Sequence, residues 1–506
     1  MIARLNCGAL QGINAFKVEL EIDYTRAGMP SFVMVGLAEG AVREAKERVF
    51  TAIRACAYKI LPAKVTVNLA PADRKKAGTA YDLPLAIGLL TASELIQPTK
   101  DLHKIFFAAE LSLSGELRPV SGILPLALLA RKLGMEAMIV APENAQEAAI
   151  VEGLNVYGLE QLNDVIDFVT EKNLFENIQY VHKEEWQAYP MDFAEVKGQE
   201  EAKVAIEIAA AGGHNLLFIG APGSGKTMLA KRIPTILPPL TFEEALEVTT
   251  IYSISDKLQS KGLMTTRPFR SPHHTVSEIA LIGGGSYPKP GEVSLAHRGV
   301  LFLDELPEFS RSTLEVLRQP LEDGNVTISR SAQTLTYPAS CMLIAAMNPC
   351  PCGYYGDKTH ECTCTQQQLA RYKAKLSGPL LDRIDLHIEV PAVAYEDFYT
   401  EYKGRDSKSM RERVEQARKI QEQRYKGTNC HINAELNGAM LEKYCKLEEK
   451  EQEFLTKAAN RLALSARSFT RILRVARTVA DLEQSEKITV AHLALAISCR
   501  VLDRAK

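Results

Sequence analysis

The hydrophobic pattern changes period several times along the chain, and each change marks an element. Residues 16–24, "FKVELEIDY", alternate apolar and polar positions, as a half-buried strand does. "SFVMVGL" (31–37), "KVTVNLAP" (64–71) and "EAMIVAP" (136–142) also read as strands, rich in β-branched residues. "GAVREAKERVFTAIRAC" (40–56) and "LPLALLARKLG" (124–134) repeat apolar residues at three and four positions and predict amphipathic helices. Residues 1–170 are therefore expected to form an α+β domain. Residues 171–195 show no clear period, carry the lone tryptophan, Trp186, and read as a linker that wraps the next domain.

The pattern then becomes coarser. "HNLLFIG" (214–220), "GVLFLDE" (299–305) and "SCMLIAAMN" (340–348) are continuous apolar runs, the signature of parallel strands covered on both faces. A helix is expected from Lys226. Residues 196–393 thus read as an α/β core, and the stretch from 394 to 506 as almost wholly helical, with "SMRERVEQARKIQEQRY", "EQEFLTKAANRLAL" and "RSFTRILRVARTVADLE" as its helices.

Composition narrows the class. The 506 residues are 46% hydrophobic and 24% charged, an ordinary globular balance. The net charge of −2 advertises no general affinity for nucleic acid, so a polyanion site must be a local patch or a channel built by assembly. The N-terminal segment lacks the basic and apolar regions of a signal peptide, and the longest apolar runs are too short to span a bilayer. A cytoplasmic protein with reduced cysteines and no membrane partner is expected.

"GAPGSGKT", Gly220 to Thr227, follows a strand and opens a helix, the context of a phosphate-binding loop. Gly220, Ala221, Pro222, Gly223, Ser224 and Gly225 can curl so that backbone N–H groups face phosphate oxygens. Lys226 adds a point charge for the β- and γ-phosphates of ATP, and the Thr227 hydroxyl is placed to ligate Mg²⁺. Asp304 and Glu305, at the end of their apolar strand, fit water-mediated binding of Mg²⁺ and polarisation of the attacking water. They are expected on a strand neighbouring that of the loop. Asn348, at the next strand end, can hydrogen-bond that water or the γ-phosphate; it could equally be a turn residue before Pro349.

Arg383 precedes another apolar strand in "SGPLLDRIDLHIEV". It reads either as a partner of Asp382 or Asp385, or as an arginine finger reaching a neighbouring subunit's nucleotide. Arg467, Arg471, Arg474 and Arg477 share one helical face, a solvated basic stripe for the most part. Arg467 is the candidate among them for touching nucleotide.

Two insertions and a cysteine cluster remain. "RPFRSPHHTVSEIALIGGGSYPKPG" (267–291) offers Arg267, Arg270, His273, His274 and Lys289 as a positive loop; a lid or subunit contact is the alternative. "DGNVTISRSAQTLTYPA" (323–339) predicts a hairpin with Arg330 near its tip, either gripping a phosphate backbone or extending the sheet. Cys350, Cys352, Cys362 and Cys364 form two C-x-C pairs, and four thiolates suit tetrahedral Zn²⁺. The spacing is tighter than usual, and free thiols or an oxidised pair are the alternatives. Tyr354, Tyr355 and Lys358 between the pairs, with Arg371, Tyr372, Lys373 and Lys375 beyond, interleave rings and cations as single-stranded nucleic-acid sites do. The cluster could equally be a structural staple at a subunit interface.

Phosphate loop, Asp-Glu strand, Asn sensor, Arg finger and a helical lid follow one another in the order of an AAA+ ATPase. "RPFRSPHHTVSEIALIGGGSYPKPGEVSLAHRGVLFLDELPEF" and "LSARSFTRILRVARTVADLE" resemble the ComM/YifB branch of the magnesium-chelatase-like AAA+ proteins. The resemblance implies a homo-hexameric ring that uses ATP to drive branch migration or unwinding of DNA in natural transformation or recombination, with single-stranded or branched DNA and recombination proteins as possible partners. It also implies an N-terminal domain similar to the proteolytic domain of Lon, a fold shared with part of ribosomal protein S5. The chain departs from Lon at both dyad positions. Lys76 in "DRKKAG" stands at the serine and Leu124 in "SGILP" at the lysine, so a non-proteolytic domain is expected. A magnesium-chelatase role or protein remodelling are the rival activities.

Overall fold

A computed structural model describes residues 2–27, 29–180, 189–258, 262–285, 288–330, 333–357, 360–391 and 405–504, without the side chains at 41, 330, 333, 503 and 504. Two compact units emerge: Met1–Glu185 with Phe242–Met264, and Trp186–Thr241 with Thr265–Lys506. Trp186 and the residues from 392 to 404, where the helical region was expected to begin, lie outside the described residues.

The first unit is built on a seven-stranded mixed sheet. Its order is Ser31–Val35, Lys64–Ala70, Asn14–Thr25, Ile2–Gln11, Ile105–Ala108, Ala137–Val140, Asn155–Gly158. The first two strands in sequence form a hairpin across Gly12, whose φ of 63° suits the tight turn. "DLPLAIGLLTA" is a core helix, Asp82–Ala92, buried at nearly every position. Its all-round hydrophobicity follows from that burial. Its first residue, Asp82, is matched by Arg48, whose Nε and Nη2 donate at 2.8 and 3.0 Å. The Phe242–Ile254 helix joins this unit, with the Gly122 N–H donating to the Ser253 carbonyl at 3.1 Å. Lys76 is fully buried, its ammonium on the Pro71 carbonyl, and Leu124 is fully buried too.

The second unit centres on five parallel strands in the order Phe269–Arg270, Val300–Leu303, Met342–Met347, Leu216–Ile219, Leu386–Glu389. The Asp-Glu strand is therefore not adjacent to the strand of the phosphate loop, as the sequence reading had it. Met342–Met347 lies between them, because the connections of a parallel sheet cross over and need not join neighbours. The three apolar runs are buried along their length, in keeping with helices on both faces.

The helical region packs on this sheet through Glu200–Gly212, which lies against Ser407–Tyr425 and Ala466–Leu482. Here the basic stripe is corrected. Arg477 is 3% exposed and pairs with Asp481, while Arg471 meets Asp385 Oδ1 at 3.2 Å. A shared helical face is solvated only where nothing packs on it, and this one meets the sheet edge.

Candidate functional site

The carboxyl ends of three strands converge on one point. Leu216–Ile219 delivers the loop Gly220–Gly225, which turns through Gly223 (φ 77°) and Gly225 (φ 89°) into the Lys226–Arg232 helix. A side chain at Gly220 is barred, since a Cβ there would lie 2.3 Å from the Val390 carbonyl oxygen. The Gly220 N–H donates to the Met347 carbonyl at 3.2 Å, which ties the loop to the strand that ends beside Asn348. Gln199 braces the loop by donating to the Ser224 carbonyl. The Ser224 hydroxyl is buried without a hydrogen-bond partner among the described residues.

Lys226 donates to the carbonyls of Gly220 and Ala221 at 2.7 and 2.9 Å and to Asn348 Oδ1 at 3.3 Å. Burial lowers its pKa, against the opposing pull of Asp304 and Glu305. Thr227 Oγ1 donates to Asp304 Oδ2 at 2.7 Å. Asp304 Oδ1 in turn accepts the Glu305 N–H at 3.0 Å. Lys226, Thr227, Asp304 and Asn348 thus form one connected group of a cation, a hydroxyl, a carboxylate and an amide. That donor set fits a nucleotide's phosphates with Mg²⁺, which Thr227 and Asp304 would hold.

Glu305 sits in the left-handed backbone region, with a φ of 52°, a conformation that is uncommon for a residue with a Cβ. Its carboxylate is more than half exposed, and His274 Nδ1 stands 3.4 Å from Oε2. The His274 ring lies against His273, tilted by 34° with centroids 4.0 Å apart, and edge-on to Phe309. The sequence reading placed His274 in a positive loop; the structure brings it to the Glu305 carboxylate. Thirty-odd residues separate the two, so no local spacing could have signalled the meeting.

Arg383 pairs with neither Asp382 nor Asp385. Its guanidinium contacts Glu322 and donates to the carbonyls of Arg318 at 3.1 Å and Pro379 at 2.8 Å. Asp382 receives the exposed Arg467 at 3.2 Å. Asp385 faces Arg471 and, at 3.5 Å, His214. Burial alone would raise the Asp385 pKa, but His214, Arg471 and Arg474 outweigh it and hold the carboxyl well below its usual range. Asn215, missed in the sequence, links these parts. Its side chain donates to the Arg383 carbonyl at 2.8 Å and accepts the Leu343 N–H at 2.8 Å.

The insertions pack on each other. In the hairpin of Asn325–Arg330 and Gln333–Pro338, Val326, Ile328, Leu335 and Tyr337 are buried. The Tyr337 hydroxyl donates to the Pro288 carbonyl at 2.6 Å. The opposite face is a hydroxyl ladder, with Thr327 opposite Thr336 at 3.3 Å and Ser329 opposite Thr334 at 3.1 Å. The tip residues 331 and 332, the Arg330 side chain and Lys358 lie outside the described residues. Of the expected loop cations, Lys289 is exposed. Arg270 is engaged by Glu292 at 2.6 and 2.9 Å, and Arg267 by the carbonyls of Pro238 and Arg298, both at 2.6 Å.

The four cysteine sulfurs lie within 4.8 Å of one another. Cys350–Cys352, Cys352–Cys362 and Cys350–Cys362 are separated by 3.2, 3.6 and 3.8 Å. Zn–S bonds of about 2.3 Å in a tetrahedron require edges of about 3.8 Å, so the cluster fits that ion. The Tyr354 N–H and the Cys350 thiol hold the Cys352 thiol down to about 5, while, against backbone N–H donors, burial and the neighbouring thiols push Cys362 and Cys364 up. Around the cluster, Tyr355 is exposed under the Lys373 ammonium, Tyr354 lies against His360, and Tyr372 is buried.

Fold and site together define a P-loop ATPase, with its phosphate loop at the strand ends of a parallel sheet. Three family profiles match: magnesium chelatase, subunit ChlI, over 192–398, subunit ChlI of Mg-chelatase over 18–144, and magnesium chelatase, subunit ChlI C-terminal, over 404–500. The competence protein ComM of Haemophilus influenzae is 44% identical over 501 residues, 98% of this chain and 97% of that protein. The YifB protein of Escherichia coli is 44% identical over 98% of the chain and 96% of its own length. A chloroplast magnesium-chelatase subunit ChlI of Nicotiana tabacum is 24% identical over 45% of the chain. The chain belongs to the ComM/YifB family of magnesium-chelatase-like AAA+ ATPases, whose cofactors are ATP and Mg²⁺. No helix among the described residues is long and apolar enough to cross a membrane.

Proposed function

We propose that this chain is the subunit of a hexameric ATP-driven DNA motor, a helicase or branch-migration enzyme acting in natural transformation or homologous recombination. The observation that carries the reading is the connected group Lys226–Thr227–Asp304–Asn348, found in a chain 44% identical over 98% of its length to a protein named for competence. Lys226 and the loop N–H groups would bind the phosphates, with Thr227 and Asp304 at Mg²⁺. Glu305 would take the proton of the attacking water and His274 would aim its carboxylate. Asn348 would hold the water or the γ-phosphate. Arg383 would act on the neighbour's nucleotide and Arg467 on the subunit's own. Mg²⁺, when bound, neutralises charge that develops on the phosphates.

Contacts to DNA are assigned to the hydroxyl-lined hairpin face, Arg330 at its tip, Lys289, Tyr354 and Lys358, with Arg267 and Arg270 supporting the loop. Hydroxyls and a few cations suit a grip on phosphate that reads no sequence. The cysteine cluster would hold Zn²⁺.

The test is the phosphate-release rate with no DNA, single-stranded DNA, branched DNA or unfolded protein. Stimulation by DNA alone is expected, and Lys226→Ala and Glu305→Gln should abolish it. Stimulation by unfolded protein alone would favour remodelling instead. The ChlI profiles favour a chelatase-type motor as the second reading, which predicts activity only with a porphyrin-handling partner.

A further inference from the structure

The cysteine knuckle and the phosphate loop touch each other. Gly353 stands between Cys352 and Tyr354 with φ +90°, and its N–H donates to the Cys350 carbonyl at 3.0 Å. A Cβ built on Gly353 would lie 2.6 Å from Cδ and 2.8 Å from Cγ of Pro222. The knuckle backbone is therefore seated on the proline ring of the phosphate loop with no room for a methyl group. A proline ring transmits such contact well, because its own φ is locked. The knuckle is also fastened to the site by its leading end. It begins two residues after Asn348, the amide that receives Lys226, and one strand position further back Met347 accepts the Gly220 N–H. The turn itself hangs on the cluster, with the Tyr355 N–H pointing at Cys350 Sγ at 3.3 Å.

We propose that the knuckle is a buttress of the phosphate loop, so that metal occupancy of Cys350, Cys352, Cys362 and Cys364 sets nucleotide affinity. The inference rests on the metal and phosphate-site readings above and adds a role distinct from DNA contact. A segment of this length has no core of its own, and its shape depends on the metal that closes it. With the metal bound, Gly353 holds Pro222, and Pro222 holds the N–H groups of Gly223, Ser224 and Gly225 in their inward curl. Without it, the loop loses its outer support and must order itself on the nucleotide, which weakens binding.

The test uses the full chain, a fluorescent ATP analogue without DNA, and elemental analysis for zinc. Gly353→Ala should keep about one metal ion per chain, the number a closed four-cysteine site holds. It should bind the analogue about tenfold more weakly, a difference of about 1.4 kcal/mol. Adding Pro222→Ala removes the ring atoms that the new methyl meets and should recover the part of that loss the contact causes, the strain of a non-glycine residue at φ +90° remaining. Chelating the metal from the unaltered protein should weaken binding in the same direction, and Zn²⁺ should restore it, whether or not Gly353→Ala folds. Unchanged affinity after metal removal, or in a metal-loaded Gly353→Ala chain, overturns the proposal. Protein purified without metal that binds the analogue as tightly as zinc-loaded protein overturns it as well. Lys226→Ala is the separate control: if it still binds the analogue, the phosphate-site reading fails instead.

Discussion

At the scale of single residues, the site is a set of groups whose neighbours decide what they can do. Lys226 is buried, and burial favours loss of its proton, yet Asp304 and Glu305 support the charged form. Glu305 combines an exposed carboxylate with a left-handed backbone, a conformation that persists when the surroundings impose it. His274 is the side chain that meets that carboxylate. His274→Ala should lower kcat about tenfold, part of what a well-placed general base contributes, while leaving nucleotide affinity alone. Equal effects on kcat and affinity, measured by steady-state kinetics and direct binding, would deny it a positioning role. Phosphate-loop residues were readable because a loop of eight consecutive residues carries its chemistry in its own backbone. His274 and Asn215 were not, because each acts on residues far along the chain.

At the scale of elements, charge is used as a fastener. The Ala466–Leu482 helix sends Arg471 to Asp385 at the start of the Leu386–Glu389 strand, with His214 on the other side. The same Asp385 segment is held by Asn215, which also grips the strand leading to Asn348. Asp385 has a folded pKa below its unfolded value near 3.9, so its stabilisation is present above that pH. It is lost as pH falls through the lower, folded pKa. Asp385→Asn should cost about 3 kcal/mol near neutrality, the scale for breaking a buried pair. The gap between variant and parent, followed by urea unfolding, should narrow below about pH 4. A gap that stays constant with pH would mean that the ion pair is not its source. The hairpin shows the other side of element-level reading. Its alternation predicted two strands correctly, but the apolar face packs on the 267–290 insertion, a partner no periodicity reveals.

At the scale of the whole molecule, the trans role of Arg383 is the decisive proposal. Within the subunit its guanidinium rests on the Arg318–Asp323 helix, which runs directly into the hairpin, so moving this arginine would be felt at the hairpin base. Arg383→Ala should leave ring assembly and ATP binding intact and cut hydrolysis about 10³-fold, the scale of an arginine finger. Sizing, nucleotide titration and phosphate release check the three parts separately. Loss of nucleotide binding by an isolated subunit would place the arginine in its own site instead. The arginine stripe carries the opposite lesson. Spacing put four cations on one face of a helix, and the fold turned that face inward at Arg471 and Arg477.

The sequence by itself determined whatever is local or periodic: the strands and helices with a clear period, the phosphate loop, the acidic strand end and the paired cysteines. These follow from backbone geometry and hydrophobic pattern, which act over a few consecutive residues. Tertiary structure alone decided strand order, the joining of Phe242–Met264 to the first unit, the partners of Arg383 and Arg471, and the seating of Gly353 on Pro222. Those depend on which surfaces meet when the core closes, and residues far apart in the chain carry no mark of the contacts they will make.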